Sequence, residues 1–179
     1  RHHMGARNRY KVRAREYVES QITYLEIKHK TNSRRTVKSR LPTRELITGM
    51  NRRALEFLRD KCPYNAVEFA PTLWNTYARA TLASRANCER VTLDINLAFA
   101  WEGRKTGLPA VAVAEVKRDS SLHPSDFIAL MRRMGIRKSG FSKYCVGVSL
   151  LYPEMKQNRF RAAHRLIERL SRGGHYAAA

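Results

Sequence analysis

Polar and apolar residues alternate with a period of two through much of the chain, and this pattern predicts strands. Over residues 8–18, Arg9, Lys11, Arg13 and Arg15 face one way, and Tyr10, Val12 and Ala14 face the other. Residues 22–30 repeat the pattern, with Glu26, Lys28 and Lys30 opposite Leu25, Ile27 and His29. Thr31-Asn32-Ser33 is a turn cluster. These two segments and residues 35–41, which present Lys38 and Arg40 on one face, are therefore expected to form a meander. The period then becomes helical. Leu46, Ile47, Met50, Ala54, Leu55 and Leu58 predict a helix over about 44–60, with Thr43 as its N-cap and Pro63 ending the region.

Period two returns over residues 72–81 and 89–98. In the second of these, Arg90, Thr92, Asp94 and Asn96 alternate with Val91, Leu93, Ile95 and Leu97. Residues 99–109, with Gly103, Gly107 and Pro109, read as a loop. Residues 110–117 read as a strand with Val111, Val113, Glu115 and Lys117 on one face. His123-Pro124-Ser125 opens a helix, Pro124 suiting its first turn, that runs through Met134 and stops at Gly135. From Ser142 onward the chain is expected to be mostly helical, with a break near Pro153. Its tail carries Arg159, Arg161, Arg165, Arg169 and Arg172 and is expected to be solvated.

Charge changes the picture. The 179 residues carry 35 Lys and Arg against 15 Asp and Glu, a net charge of +20. A hydrophobic fraction of 43% is ordinary for a folded domain. The excess of cations calls for a polyanionic partner: nucleic acid, anionic lipid or a phosphate compound. No stretch approaches the roughly 20 apolar residues of a membrane-spanning helix, and the N-terminus lacks the apolar core of a secretory signal. Cys62, Cys88 and Cys145 are widely spaced with no CxxC pair, which argues against a disulfide framework or zinc site and for reduced cytoplasmic thiols.

Residues 7–40 hold eleven Lys or Arg and three Glu. Cations directly opposite one another on adjacent strands repel, so a sheet that collects them needs an anion. Two arrangements stay open. In an ordinary sandwich the apolar faces meet and the charges point to water. In a closed barrel the charged face lines a water-filled channel, and amphipathic helices such as 44–60 and 124–134 cover the outside. Phosphate chains suit a lining of this kind, because each phosphate accepts charge-assisted hydrogen bonds that Arg can supply as a fork.

Six segments in order resemble the polyphosphate-polymerase (VTC) domain, a branch of the triphosphate tunnel metalloenzymes. They are Asn8-Arg9-Tyr10-Lys11-Val12-Arg13-Ala14-Arg15, Leu25-Glu26-Ile27-Lys28-His29-Lys30-Thr31-Asn32, Pro71-Thr72-Leu73-Trp74-Asn75-Thr76-Tyr77-Ala78-Arg79, Arg90-Val91-Thr92-Leu93-Asp94, Ala114-Glu115-Val116-Lys117 and Phe141-Ser142-Lys143-Tyr144-Cys145-Val146-Gly147-Val148. The resemblance implies an α+β fold: an antiparallel β-tunnel or barrel with a polar cationic interior, flanked by helices. It implies ATP and inorganic polyphosphate as ligands, with Mn²⁺ or Mg²⁺. Carried over by position, Lys11, Arg13, Arg15, Lys28, Lys38, Arg79, Arg90, Lys117, Ser142 and Lys143 are the phosphate ligands. Lys117, Lys143 and Arg79 stand nearest the transferred group. Glu115 is the metal-binding glutamate and Glu26 a second metal candidate. The tunnel domain would span residues 1–152, followed by a basic helical tail over 153–179. Family members normally begin with further strands, and Arg1-His2-His3-Met4-Gly5 resembles the sequence just after those, so a chain cut upstream is expected.

Four functions compete at this point. An ATP-dependent polyphosphate polymerase is the first; a triphosphatase would use the same lining hydrolytically. A nucleic-acid-binding module is allowed by charge, but the chain has no RRM aromatic motif, KH loop or zinc-finger spacing. A polyphosphate or inositol-phosphate sensor would keep the pocket without turnover.

Overall fold

The computed structural model describes residues 8–33, 35–85, 88–118 and 124–173. Arg1 to Gly5 and His123 lie outside them. The described residues form an α+β structure with two antiparallel sheets and four α-helices, divided into two compact units, residues 1–72 and 73–179.

In the first unit β1 (Arg9–Tyr17), β2 (Ile22–Lys30) and β3 (Thr36–Thr43) form the expected meander, with β2 in the centre. The parity read from the sequence holds. Tyr10, Val12, Leu25, Ile27 and His29 share one face, and the Lys and Arg residues share the other. The helix starts later than its apolar spacing predicts: α1 is Arg52–Lys61, and Leu46 and Ile47 lie outside it. The reason is local. Asn51 caps the helix by accepting a hydrogen bond from the Ala54 amide at 2.9 Å. Thr43 is instead the last residue of β3, where its hydroxyl donates to Thr23 Oγ1 at 3.0 Å. Leu58 of α1 and Ala66 of a short 3₁₀ turn pack on Ile27, with Tyr10, Val12, Leu55 and Phe57 around them. Full burial of a side chain such as Leu58 or Ile27 contributes about 1.5–3 kcal/mol. So α1 does cover the apolar face of its sheet.

The second unit is built on the long central strand β5 (Arg90–Trp101), which pairs with β4 (Trp74–Ala83), β6 (Arg104–Leu108) and β7 (Val113–Lys117). The expected loop over 99–109 is largely strand. Glu102 and Gly103, at φ +46° and +79°, close a tight two-residue hairpin between β5 and β6. The alternation read through Asn96 does not hold either. Asn96 adopts φ +53°, and the β4–β5 register slips between Thr76 and Ala78. This bulge reverses the parity. Asp94 stands opposite Arg79, and beyond the bulge Phe99 stands opposite Asn75, so Phe99 falls on the face that carries Asp94.

That face therefore holds charge at one end and a core at the other. The core is Leu97, Phe99, Leu108, Val111, Val146, Leu151 and Ile167. Its helical parts are α3 (Lys143–Leu151) and α4 (Arg161–Ser171), with the expected break between them. Val111 belongs to this core but precedes β7. The helix read at 124–134 is α2 (Asp126–Arg133), capped by Ser125, whose Oγ accepts from the Ile128 amide, and followed by Gly135 at φ +71°. It buries none of its residues, so it is not the cover expected for the outer face of the strands. Leu82 and Ile95 on that face stay 54% and 46% exposed.

Gly147 sets how closely α3 approaches β5. A Cβ there would stand 2.5 Å from Phe99 Cδ1 and 2.9 Å from Leu73 Cδ2. Gly147→Ala should lower stability by up to about 2 kcal/mol. Overpacking costs ~1–3 kcal/mol, offset in part by the ~1 kcal/mol that alanine gains over glycine within a helix. The urea-unfolding midpoint measures it; an unchanged or raised midpoint would mean that Phe99 has room to give.

Candidate functional site

On the polar face of the first unit, strand register turns alternation into rows. Lys11, Lys28 and Lys38 stand directly opposite one another across β1, β2 and β3. The next row is Arg13, Glu26 and Arg40; Arg15 beside Tyr24 lies beyond it, and Arg9 beside Lys30 lies beyond the lysine row. Eight cations, Arg9, Lys11, Arg13, Arg15, Lys28, Lys30, Lys38 and Arg40, thus share a face with one carboxylate.

That carboxylate is fully buried and serves three of them. Glu26 Oε2 accepts from Arg13 Nε at 2.6 Å and Nη2 at 2.5 Å. Glu26 Oε1 accepts from Lys38 Nζ at 2.9 Å and Arg40 Nε at 2.7 Å. Burial by itself would raise the Glu26 pKa. The hydrogen bond from Lys38 and the charge of Arg13 outweigh it and hold the carboxyl at about 2, against 4.5 ordinarily. The Arg40 guanidinium also lies 5.4 Å from the centre of the Tyr24 ring. The cations remain between 32% and 44% exposed, so their outer sides face solvent.

The second unit repeats the device with different parts. Asp94, on the central strand and 2% exposed, accepts a forked pair of hydrogen bonds from its direct neighbour Arg79, Nε to Oδ1 at 2.5 Å and Nη2 to Oδ2 at 2.7 Å. Lys143, at the start of α3, makes an ion pair with Oδ2. Burial pushes the Asp94 carboxyl up, and these two partners pull it below its usual value. The hydrogen bond to Asp94 raises the Arg79 pKa against the opposing effect of burial. Tyr77 places its ring under both cations, 5.3 Å from Arg79 and 4.9 Å from Lys143. Ser142 caps α3, its Oγ accepting from the Cys145 amide at 3.4 Å.

The same face continues along the sheet. Thr81, Thr92 and Glu115 form one row, and Ala83, Arg90 and Lys117 the next. Lys117 Nζ lies 3.4 Å from Glu115 Oε1, both side chains about half exposed. Arg90 and Lys117 edge an open depression of about 470 Å³, together with Ser84, Glu89 and Arg118. Among the described residues, Thr92 Oγ1 and Asn75 Oδ1 are buried on this face with no hydrogen-bond partner.

The family model for the VTC domain matches residues 1–152. The chain belongs to the VTC domain family. No curated protein and no solved structure matches it. In this VTC domain, register brings the expected phosphate residues together in two groups. Lys11, Arg13, Arg15, Lys28 and Lys38 share the polar face of the first unit. Arg79, Arg90, Glu115 and Lys117 share that of the second, where Lys143 meets them from α3. Three contributors emerge only from register and packing. Arg40 was visible as a polar-face residue, and only register shows that it meets Glu26. Asp94 stands on the polar face in the alternation, and only register and the approach of α3 show that it holds Arg79 and Lys143. Tyr77 gave no periodic signal that distinguishes it from a packing residue.

The metal candidates differ in what they offer. Glu26 directs both oxygens at cations. Glu115 has one carboxylate oxygen on Lys117 and open surface around it. Among the described residues, no group of three or more His, Cys, Asp or Glu is arranged to hold an ion. A single exposed carboxylate suits a Mg²⁺ or Mn²⁺ that keeps waters and arrives on phosphate oxygens.

The lowered pKa of Glu26 predicts acid sensitivity. A depressed carboxyl contributes stability that is complete above its unfolded pKa and is lost as pH falls through the folded one. The loss from Glu26 should run from about pH 5 to pH 2 and reach about 3 kcal/mol, at ~1.4 kcal/mol per unit. The Asp94 carboxyl adds to it in the same direction. Urea unfolding at stepped pH measures the slope, and Glu26→Gln should flatten it. A slope as steep in that variant as in the wild type would show that Glu26 is not its source.

Proposed function

We propose that this chain is the phosphate-handling part of a polyphosphate polymerase, which transfers the γ-phosphate of ATP to a growing polyphosphate chain within a cationic β-tunnel. The observation that carries the reading is the row Lys11, Lys28 and Lys38 beside the row Arg13, Glu26 and Arg40. A sheet that aligns cations in register, with one carboxylate among them, gains stability when a further anion spans the rows. Family membership supports polyphosphate as that anion.

The mechanism follows from charge and position. Phosphoryl transfer needs the attacking and leaving oxygens aligned and the charge on the equatorial oxygens neutralised. Arg13, Arg15, Lys11, Lys28 and Lys38 grip one stretch of phosphates, and Arg79 and Arg90 another, each fixed by a strand before the ligand arrives. Glu26 orients Arg13 and Lys38 from beneath, and Asp94 orients Arg79, which spares the ligand the entropy of ordering them. Lys143 and Lys117 stabilise charge near the transferred group. A Mn²⁺ or Mg²⁺ held by Glu115, waters and phosphate oxygens would neutralise part of the triphosphate charge. The acceptor is the terminal phosphate of the chain itself, so no activated Ser, Cys or His is required.

Incubation of the complete protein with ATP and Mn²⁺ should yield long polyphosphate, detected by its metachromatic dye shift and by gel mobility. Release of inorganic phosphate without polymer would overturn the polymerase reading in favour of a triphosphatase. Glu115→Gln should lower metal-dependent turnover by a factor of ~100 or more, while tripolyphosphate binding changes less than about threefold. Unchanged turnover in that variant would remove Glu115 from the metal role.

A further inference from the structure

Arg13, Arg15, Arg40, Arg79 and Arg104 of the two sheets lie on carboxylates or aromatic rings, whereas the arginines of α4 do not. Arg161, Arg165, Arg169 and Arg172 are exposed. They recur at intervals of four, four and three residues, which places them within an arc of about 80° along about 16 Å of helix. Among the described residues, none of the four side chains has an ion pair, hydrogen bond or ring contact. Glu168 lies in the same stripe and pairs with none of them. Exposed Lys156 and Arg159 precede the helix on its N-terminal side. Like charges four residues apart destabilise a helix, and this stripe has two such pairs, Arg161 with Arg165 and Arg165 with Arg169.

The other side of α4 is already used. Ile167 is buried in the core with Phe99 and Val146, and Ala163 and Leu170 pack beside it. His164 hydrogen-bonds Ser149 on α3 at 2.8 Å. The helix thus has no apolar face left to insert into a bilayer, which an interfacial helix needs. Its described neighbours include no aromatic platform on the arginine side of the kind that single-stranded nucleic-acid binders use. What it presents is a straight row of forked cations, the complement of a linear, unstacked polyanion. The stripe also lies beyond residue 152, where the family match ends.

We infer that the Arg161–Arg165–Arg169–Arg172 face of α4 is a second, external polyphosphate-binding surface, which holds a long chain outside the sheet site and keeps it near the enzyme. It rests on the function proposed above for the choice of polyphosphate. Because the row is remote in kind from the Asp94 and Glu26 clusters, it should matter for long chains and not for a triphosphate.

The test is a set of four substitutions in the full chain, Arg161→Gln, Arg165→Gln, Arg169→Gln and Arg172→Gln, beside a matching set to Lys. Gln and Lys both keep helix propensity close to that of Arg. Binding of long-chain inorganic polyphosphate and of tripolyphosphate is measured at salt between about 50 and 200 mM. The Gln set should bind the long chain at least about tenfold more weakly, and its slope of log affinity against log salt should become shallower by about 3. Tripolyphosphate affinity should stay within about twofold. The Lys set should recover most of the long-chain affinity.

An unchanged long-chain affinity, an equal loss for both ligands, or a Lys set as weak as the Gln set would overturn the inference. So would a Gln set that loses binding to phosphatidylserine-containing vesicles or duplex RNA while keeping its polyphosphate affinity. The two proposals fail separately. If the wild type makes no polymer and ignores tripolyphosphate, yet grips long chains through these arginines, the polymerase reading falls and the α4 surface stands. Normal polymerisation with an indifferent Gln set gives the reverse.

Discussion

A carboxylate with almost no exposed surface is costly to keep ionised unless cations meet it, and Glu26 and Asp94 are both in that position. Each sits on the central strand of its sheet, so neighbours on both sides can reach it. Each has an arginine directly opposite. The dependence runs in both directions. The carboxylates stay charged because Arg13, Lys38 and Arg40, or Arg79 and Lys143, converge on them. Those cations in turn hold fixed directions because the carboxylates anchor their inner sides. The rows of Lys and Arg around them are tolerable on a folded sheet only with such an anchor at the centre.

Two backbone features let the second sheet combine this charge with a core. The bulge at Asn96 turns the strand so that Phe99 joins the face of Asp94. Gly147 then lets α3 lie close against Phe99. With the helix that close, its first residue, Lys143, reaches the Asp94 carboxylate. Packing at one end of the face thus places a charge at the other, which ties the apolar core to the phosphate chemistry proposed here.

Much of the first sheet was legible in the alternation, because a strand has only two faces and the parity of Lys and Arg states which residues share one. The pairing within that face was not. Whether Glu26 meets Arg13 or Arg15 depends on strand register, which the turns after Tyr17 and Lys30 set, and a shift of two residues would preserve the alternation while changing every partner. In the second unit, parity failed beyond Ile95 because an Asn in the left-handed region looks like any polar strand residue. Residues 99–109 were misread because two glycines and a proline mark turns without saying how short they are.

The sequence by itself determined the α+β class, the cationic faces, the break between the last helices and the family to which the chain belongs, since all of these rest on residue type and local spacing. Only the tertiary structure decided that α1 begins at Arg52, that Leu82 and Ile95 on the outer face of the second sheet stay exposed, and that Glu26 and Asp94 gather the cations around them. The reason is that ion pairs and covering contacts join residues distant in the chain. Their energies depend on register and on the approach of one element to another, and neither quantity is written in any local window of the sequence.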